Sequence, residues 1–301
     1  MEAILLKRIQ ELTKPLSPSP PDHETRLKKL ESVRCIAFDF YGTMFISGVG
    51  DIGIDEEQDT RHASFFEAAL SDSGFIVNSQ TAGVRGIELF QKTINRHINQ
   101  KKDEGIEHPE PDIISVWLDV LNELSEKSLI SGAVSKERAI RFAIEFEFRV
   151  NRVWPFPGLV QVLTKLLERG YTLGIISNSQ FYTPLAFSAI IGKSPKEFGF
   201  DPDLLNWSYV SGLKKPDIRF YKLFTETLAQ SKGLTPEEVL YVGNDIQKDI
   251  YPAKRLGMKT ALFVGDSRSI RHGEQDLELE QYQPDIIIDS LTQIIECLDG
   301  R

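Results

Sequence analysis

Residues able to do chemistry stand just after short apolar stretches of this sequence. The run 33–38 is followed by an acid, and the run 172–176 by a hydroxyl. The run 239–242 leads into an acidic loop, and a lysine stands shortly after a weaker run at 207–210. These residues are Asp39, Ser177, Lys215, Asn244, Asp245 and Asp249. The set suits displacement at an anionic centre, because carboxylates bind a hard cation while an ammonium group and a hydroxyl neutralise and bind the substrate.

The elements that carry these residues are predicted to be strands of one sheet. The runs are too short for helices and contain β-branched residues, which is typical of buried parallel strands. They alternate with helical stripes, such as the one that ends at Gly170. Gly42 permits a sharp turn directly after Asp39. The pattern predicts an α/β fold with a doubly wound parallel sheet, whose strands present their carboxyl ends to a ligand.

The rest of the chain is predicted to form a helical insertion and an N-terminal arm. Residues 48–150 are mainly helical in pattern, although the alternating phenylalanines at 142–148 fit a helix or a strand. Residues 1–31 comprise an amphipathic helix over 1–13, a proline-rich connector over 14–22 and a second helical piece over 24–31. We therefore predict a core of residues 32–47 and 151–301, a smaller helical cap of residues 48–150, and an arm of residues 1–31. We expect the arm to pack on its own domain or, alternatively, to mediate the formation of a homodimer.

Composition is that of an ordinary globular protein and disfavours some partners. The 301 residues suffice for one large and one smaller domain, and 41% of them are hydrophobic. A net charge of −9 argues against nucleic-acid binding, because phosphate backbones are held by an excess of Lys and Arg. No apolar run reaches membrane-spanning length and no signal peptide is recognisable, so we expect a cytoplasmic protein without a membrane partner. Cys35 and Cys297 are expected to be reduced, buried thiols.

A glycine cluster formally matches the dinucleotide-binding pattern. Gly48, Gly50 and Gly53 have the spacing G-x-G-x-x-G. The pattern requires a strand that turns directly into a helix, whereas here the strand has already ended at Asp39. A glycine-rich flap or hairpin beside the active site is the better interpretation.

Taken in order, the motifs resemble those of the haloacid dehalogenase-like superfamily. That family has an Asp-x-Asp-Gly-Thr turn, a strand-end Ser or Thr, a Lys and a Gly-Asp-rich acidic loop, and it inserts a helical cap where residues 48–150 lie. The resemblance covers about residues 32–290 of this chain. It implies that Asp39 is the nucleophile and that Ser177 and Lys215 contact phosphate. Thr43 and Asn178 join the implied substrate site, and the implied Mg²⁺ ligands are Asp39, the carbonyl of Tyr41 and the last loop, with Asn244, Asp245 and Asp249 as candidates.

Two departures from the family pattern favour different activities. The family's phosphatases place a general acid/base Asp two residues after the nucleophile, and here that residue is Tyr41, a phenol with an ordinary pKa near 10. The same Tyr, and a Ser-Asn pair like Ser177-Asn178, occur in the family's 2-haloacid dehalogenases, which need no metal. Asp245 and Asp249, in contrast, retain acidity near Asp39 that would be repulsive without a cation.

The leading hypothesis is a Mg²⁺-dependent phosphohydrolase that acts on a small phosphorylated metabolite. Asp39 would form an aspartyl-phosphate, and the absence of a second Asp predicts faster turnover of esters with good leaving groups. One alternative is a 2-haloacid dehalogenase with an aspartyl-ester intermediate. Another is a catalytically weak binding module.

Overall fold

The structure, a computed structural model, describes residues 1–20, 23–48, 56–269 and 283–298, and only the backbone of residues 56–60. The chain divides into two compact units. Unit 1 comprises Met1–Lys14 and Asp51–Arg152, and unit 2 comprises Pro15–Gly50 and Val153–Arg301. The residues predicted as one N-terminal arm are therefore divided between the units after Lys14. The predicted glycine-rich flap lies, from residue 49 onward, outside the described residues.

Helices and strands alternate along most of the chain. In order, the described elements are α1 (Glu2–Leu12), β1 (Cys35–Phe38), β2 (Phe45–Ser47), α2 (Glu56–Asp72), β3 (Ile76–Val77), α3 (Ala82–Asp103), α4 (Ile113–Glu126), β4 (Ile130–Ser131), α5 (Lys136–Val150), β5 (Val153–Pro155), α6 (Leu159–Glu168), β6 (Thr172–Ser177), α7 (Tyr182–Ile191), α8 (Pro195–Phe198), β7 (Leu205–Trp207), α9 (Ser208–Ser211), α10 (Ile218–Lys232), β8 (Val239–Gly243), α11 (Tyr251–Arg255), β9 (Lys259–Phe263), β10 (Ile286–Ile288) and α12 (Gln293–Cys297). Short 3₁₀ turns precede β7 and β8, and a π-helical turn, Ile246–Ile250, precedes α11. Across the described residues, no helix combines the length and the apolar character that crossing a bilayer requires.

Six parallel strands form the sheet of unit 2, in the order β10-β9-β8-β1-β6-β7. Strand β1 pairs with β6 on one side and with β8 on the other, so that Cys35 lies opposite both Thr172 and Val239. The chain proceeds outward through β6 and β7, then returns to β8 and proceeds outward the other way. The predicted doubly wound sheet is confirmed, and its topological switch point lies beside β1.

The central strands are apolar because both faces of the sheet are covered. Every residue of β1 and of β8 is buried. On one face, α10 contributes Phe220, Phe224 and Leu228 to a core that also contains Tyr241. A polar side chain without a partner is costly in such a layer, which is why charged groups appear only where the strands end.

Two predicted elements of unit 2 are wrong. Residues 24–31 are not helical: Arg26 exchanges two backbone hydrogen bonds of 2.9 Å with Ile287 of β10, and the Leu30 amide donates to the Cys297 carbonyl. The exposed backbone of an edge strand offers these bonds, and no local pattern in residues 24–31 reveals it. The strand expected at 207–210 ends at Trp207, and the following residues form the short helix α9.

Unit 1 is a bundle of helices α2 to α5 with the small antiparallel pair β3–β4. The helical pattern predicted for this region is confirmed. Residues 142–148, which the sequence left undecided, lie in α5. Phe142 and Phe146, one turn apart, pack edge-on against Phe66 and Trp117. This aromatic cluster is the core of the unit.

Helix α1 belongs to unit 1 through apolar and ionic contacts. Leu5 and Ile9 are its buried residues. Arg8 forms two hydrogen bonds with Glu145 of α5, from Nε at 2.6 Å and from Nη2 at 2.9 Å. Glu145 is only 5% exposed, and it also pairs with Arg149. The cationic side chain from α1 therefore helps to neutralise a carboxylate that is buried within the helical unit.

Candidate active site

The predicted nucleophile lies at the carboxyl end of the central strand. The Asp39 amide donates to the Val242 carbonyl at 2.9 Å, which continues the β1–β8 pairing one residue beyond β1. The residue is 7% exposed. Gly42 then reverses the chain with a φ of +77°, and a Cβ at this position would lie 2.7 Å from Nδ2 of Asn244. Both the conformation and the close packing require glycine in this turn.

Lys215 is the central group of the site. Its Nζ lies 2.7 Å from Oδ1 of Asp39, 2.7 Å from Oδ1 of Asp249 and 3.3 Å from the Tyr241 hydroxyl. The residue is 4% exposed. An ammonium group has three hydrogens to donate, and these three oxygens match that number. The geometry brings together Asp39, Lys215 and Asp249, which stand far apart in the sequence.

The charges in this cluster shift each other's protonation. Burial raises the pKa of the Asp39 carboxyl to about 6, against the lowering effect of Lys215. Burial alone would lower the pKa of Lys215, but the charges of Asp249 and Asp39 outweigh it and the pKa is raised. The pKa of Asp245 is also raised, first by burial and then by the charge of Asp249. Two carboxylates contact the buried ammonium group, and Asp245 lies near Asp249 with the partly exposed Lys248 at 3.7 Å, so the buried charge is negative in excess and suits a cation.

Asp249 organises the acidic loop. Its Oδ2 accepts hydrogen bonds from the amides of Asn244 and Asp245, each at 3.0 Å. Its Oδ1 accepts from Lys215 and lies 3.1 Å from the Tyr241 hydroxyl. Both oxygens are thus engaged by protein donors. The metal-ligand role of Asp249 stays a prediction, and these contacts favour a structural role for it.

Asn244 and Asp245 are held in different ways. Asn244 accepts from the Thr43 hydroxyl at 3.1 Å and donates from Nδ2 to the Ser269 carbonyl at 2.6 Å. A carboxylate could not make the second bond, which gives a local reason for Asn at this position. Oδ1 of Asp245 accepts from the Lys248 amide at 2.8 Å.

The Ser177-Asn178 pair lies beside the lysine. Oδ1 of Asn178 accepts from the Lys215 amide at 2.7 Å, and Nδ2 donates to the Lys215 carbonyl at 3.3 Å. This two-way contact fixes the backbone from which the ammonium group extends. The Ser177 hydroxyl is fully buried and donates to the Asn178 carbonyl at 3.3 Å. Its contact with a phosphate stays a prediction.

Tyr41 follows the nucleophile by two residues, and its hydroxyl lies 3.0 Å from that of Thr183 in α7. Its backbone forms a bridge to Phe45, next to the hydrogen bond from the Gly42 amide to the Phe45 carbonyl. The phenol therefore has a neutral alcohol within hydrogen-bonding distance.

Sequence reasoning missed three contributors to this site: Tyr241, Thr183 and the Ser269 carbonyl. Tyr241 gave a usable signal, because a hydroxyl inside an otherwise apolar buried strand needs a hydrogen-bond partner. Thr183 and Ser269 gave none, since a helix threonine and a backbone carbonyl acquire meaning only through the residues that the fold brings to them.

Comparisons with known proteins agree with these features. The family model of haloacid dehalogenase-like hydrolases matches residues 33–257. The chain is 31% identical over 209 residues to glyceraldehyde 3-phosphate phosphatase of Methanocaldococcus jannaschii, a match that covers 69% of this chain and 79% of the relative. It is 30% identical over 145 residues to phosphoglycolate phosphatase of Salmonella paratyphi A, covering 48% of this chain and 50% of the relative.

Among solved structures, the fold is similar to that of a 2-haloacid dehalogenase from Pseudomonas syringae pv. Tomato. The TM-score is 0.52 at 18% identity, with 88% of this chain and 97% of the other covered. This likeness concerns the fold alone. The match over residues 33–257 spans most of the sequence, and the chain therefore belongs to the haloacid dehalogenase-like hydrolases.

Proposed function

We propose that this hydrolase is a Mg²⁺-dependent phosphatase of a small phosphorylated metabolite, with Asp39 as the nucleophile. The observation that supports it most is the buried ammonium group of Lys215, 2.7 Å from Oδ1 of Asp39. An ammonium group beside the nucleophile neutralises negative charge on the phosphoryl group that the nucleophile attacks. A dianionic phosphate ester would gain most from such a site.

The names of the relatives support phosphate esters of small metabolites as substrates. Relatives matched over most or about half of their length are named for glyceraldehyde 3-phosphate and for phosphoglycolate. We therefore place the substrate of this chain among phosphorylated compounds of two to three carbons or phosphorylated small sugars. The sugars are included because a relative with a shorter match is named a sugar-phosphatase.

The donors at the site fit a magnesium ion. Mg²⁺ prefers oxygen ligands and keeps several waters, so it needs few protein groups. Asp39 and Asp245 supply carboxylates, Tyr41 a backbone carbonyl and Asn244 an amide oxygen. The bound ion would supply charge neutralisation to the phosphoryl group.

The proposed reaction has two displacements. An oxygen of Asp39 bonds to phosphorus as the ester P–O bond breaks, and the leaving group departs with that electron pair as an alkoxide or phenoxide that takes a proton from solvent. Water then attacks the phosphorus of the aspartyl-phosphate and returns a proton to solvent, the electron pair of the breaking bond goes back to the Asp39 carboxylate, and inorganic phosphate is released. Lys215 faces the charge that develops in both steps. The hydroxyls of Thr43 and Ser177 are proposed to turn from their present acceptors, Asn244 and the Asn178 carbonyl, and to donate to the phosphoryl oxygens.

Asp249 and Asn178 are proposed to act through Lys215. Asp249 holds the ammonium group and Asn178 holds the backbone of the same residue. Asp249 is proposed to be the organiser of the loop, which leaves Asn244 and Asp245 as the loop's proposed metal ligands.

The test is a panel of phosphate esters, including the two named above and an aryl phosphate, assayed with Mg²⁺ and with EDTA. Phosphate release is expected with Mg²⁺ and not with EDTA. Asp39→Asn and Lys215→Met are expected to abolish it, whereas Lys214→Met, which removes the neighbouring lysine, is expected to leave it near the wild-type rate. Activity that survives Asp39→Asn or EDTA contradicts the proposal.

The 2-haloacid dehalogenase remains the second candidate because of Tyr41 and the Ser177-Asn178 pair. Its substrate carbon loses a halide that needs no proton, so a phenol beside Asp39 is no handicap. Halide release from 2-chloropropionate without added metal would establish this activity, and its absence together with phosphate release would exclude it.

A further inference from the structure

We propose that Tyr241 is a positioning residue that sets the ammonium group of Lys215 relative to Asp39. The inference rests on the proposed function for its meaning, since Lys215 is the group taken to face the phosphate. Tyr241 lies in the middle of β8 and is fully buried. Its hydroxyl contacts the two residues that hold the site together, Lys215 and Asp249.

The phenol reaches the site because its neighbour in the sheet is small. Tyr241 is the register partner of Ala37 in β1, and both belong to the same buried cluster as Ile176 of β6. The Tyr241 hydroxyl lies 2.9 Å from the Ile176 carbonyl, although β1 separates the two strands. An alanine at position 37 leaves space for the ring beside β1.

The hydroxyl connects three parts of the site. It lies 2.9 Å from the Ile176 carbonyl, 3.1 Å from Oδ1 of Asp249 and 3.3 Å from Nζ of Lys215. A phenol has one hydrogen to donate and accepts through its oxygen. It therefore donates to the carbonyl or to the carboxylate and accepts from the ammonium group. Ile176 directly precedes Ser177, so the same hydroxyl links the end of β6 to Lys215.

The Tyr241 hydroxyl is the third acceptor of the Lys215 ammonium group and fixes its orientation. With two carboxylates alone, Nζ would still be bound, but its third hydrogen would have no protein acceptor among the described residues. Without this acceptor the position of the ammonium group is less well defined. Small displacements of a catalytic group from the phosphoryl group lower the reaction rate strongly.

The competing explanation is that Tyr241 only fills the core. Its ring packs edge-on against Tyr221 with centroids 5.5 Å apart. Tyr241→Phe keeps this packing and removes only the hydroxyl. Tyr221→Phe is the control for the loss of a buried hydroxyl. The Tyr221 hydroxyl donates to the Lys248 carbonyl at 2.7 Å and interacts with the Tyr241 hydroxyl, whereas the hydroxyl that accepts from Lys215 is that of Tyr241.

The experiment measures kcat and KM for an aryl phosphate, the affinity for inorganic phosphate by calorimetry, and stability in urea, for the wild type and both variants with Mg²⁺. We expect both variants to lose similar stability. Tyr241→Phe is expected to lower kcat/KM about tenfold, the effect of one hydrogen bond to a charged group, mainly through kcat. It is also expected to weaken phosphate binding, while Tyr221→Phe keeps kcat/KM within about twofold of the wild type.

The outcomes separate this inference from the proposed function. If the wild type is active and the two variants have equal kinetics and phosphate affinity, the positioning role is overturned and the function stands. If no ester is hydrolysed but phosphate binds, and binds more weakly only in Tyr241→Phe, the function fails and the positioning role stands. If the wild type neither hydrolyses an ester nor binds phosphate, both are overturned.

Discussion

The ionisable side chains of the candidate site lie where the protein can least solvate them. Asp39, Lys215, Asp245 and Asp249 are each less than a tenth exposed. Burying charge costs free energy even when the charges are paired, and hydrogen bonds from the backbone offset only part of it. Such a site exists for what it does to a ligand rather than for stability, and this has consequences that can be measured at single residues.

Replacing Asp39 with Asn is expected to stabilise the metal-free protein at neutral pH. Burial raises the pKa of Asp39 to about 6, whereas an unfolded Asp titrates near 3.9. A carboxyl whose pKa is higher in the folded than in the unfolded state stabilises the folded protein while it is protonated. Its contribution to the free energy of unfolding is therefore complete below about pH 4 and is lost as the pH rises through about 6. Asn resembles the protonated form, so Asp39→Asn should gain about 1–3 kcal/mol over the wild type at about pH 7 and nothing at about pH 4.

Urea denaturation in EDTA at several pH values measures this difference. Repeating it with Mg²⁺ provides the control, because a cation bound by Asp39 should stabilise the wild type and reduce the advantage of the variant. A variant that is less stable than the wild type at neutral pH without metal would show that the ionised carboxylate is well compensated by Lys215.

Tyr41→Asp is expected to raise turnover of alkyl phosphates about a hundredfold, the usual contribution of a general acid or base. The wild type has a phenol paired with Thr183 where the family's phosphatases have an acid. Aryl phosphates should gain less, because their leaving groups need little protonation. Steady-state rates for one ester of each kind measure the effect, with Tyr41→Asn as a control that lacks a titratable group. Equal gains in the Asp and Asn variants would assign the effect to space rather than to proton transfer.

Strand ends were the most predictable elements of this fold. Buried parallel strands must be apolar until they reach the rim, so the sequence alone placed Asp39 and Lys215 near one sheet edge. Contacts between distant segments were not predictable. The pairing of Arg26 with Ile287 overrides the helical pattern of residues 24–31, and the partners of Tyr241 lie on other strands. Residues 142–148 became helical because the bundle buries several faces of α5, which the alternating pattern could not distinguish from a strand.

The packing of α3 against α2 can be tested at Gly86. Gly86 lies inside α3, where Ala ordinarily favours the helix by about 1 kcal/mol. A Cβ at Gly86 would overlap the ring of Phe66, which is locked in the aromatic cluster. Gly86→Ala should therefore destabilise the protein by about 1–3 kcal/mol, the cost of overpacking.

Chemical denaturation measures this change, and Val84→Ala serves as the control on the same helix. Val84 is 51% exposed, so its truncation should change stability by less than about 0.5 kcal/mol. If Gly86→Ala is stabilising, helix propensity outweighs the contact and the approach of the two helices is looser than described.

In the whole molecule, the first 20 residues are shared between the two units. Residues 1–14 belong to unit 1, but the proline-rich connector that follows belongs to unit 2. There the Ser17 carbonyl accepts from Arg268 and the Ser19 carbonyl accepts from the Ser267 amide, each at 2.9 Å. The chain thus passes between its units after Lys14, after Gly50 and after Arg152. A homodimer through this segment stays a prediction.

Helix α1 is held by Arg8, which pairs with the buried Glu145 and with Asp72, and by a few apolar side chains. Its attachment should therefore depend strongly on Arg8. Removing Arg8 leaves Glu145 with Arg149 as its cation, so the loss is smaller than for an isolated buried charge. Arg8 is itself about a third exposed, and solvent screening reduces the loss further. We expect Arg8→Ala to cost about 1–2 kcal/mol, below the range for breaking a fully buried pair. Hydrogen exchange of the α1 amides should accelerate correspondingly, because α1 opens more readily.

Lys7→Ala provides the comparison, since Lys7 is the exposed neighbour of Arg8 on the same helix. Its removal should leave both stability and exchange near those of the wild type. The amides of Ser19 and Ser267 should keep their exchange rates in Arg8→Ala, because they donate to Oδ1 of Asp266 at 3.3 Å and to the Ser19 carbonyl at 2.9 Å, two hydrogen bonds that lie within unit 2. If those amides accelerate together with α1, the first 20 residues open as one cooperative segment. Residues 15–20 would then depend on Arg8 for their attachment to unit 2, instead of being held there independently of α1.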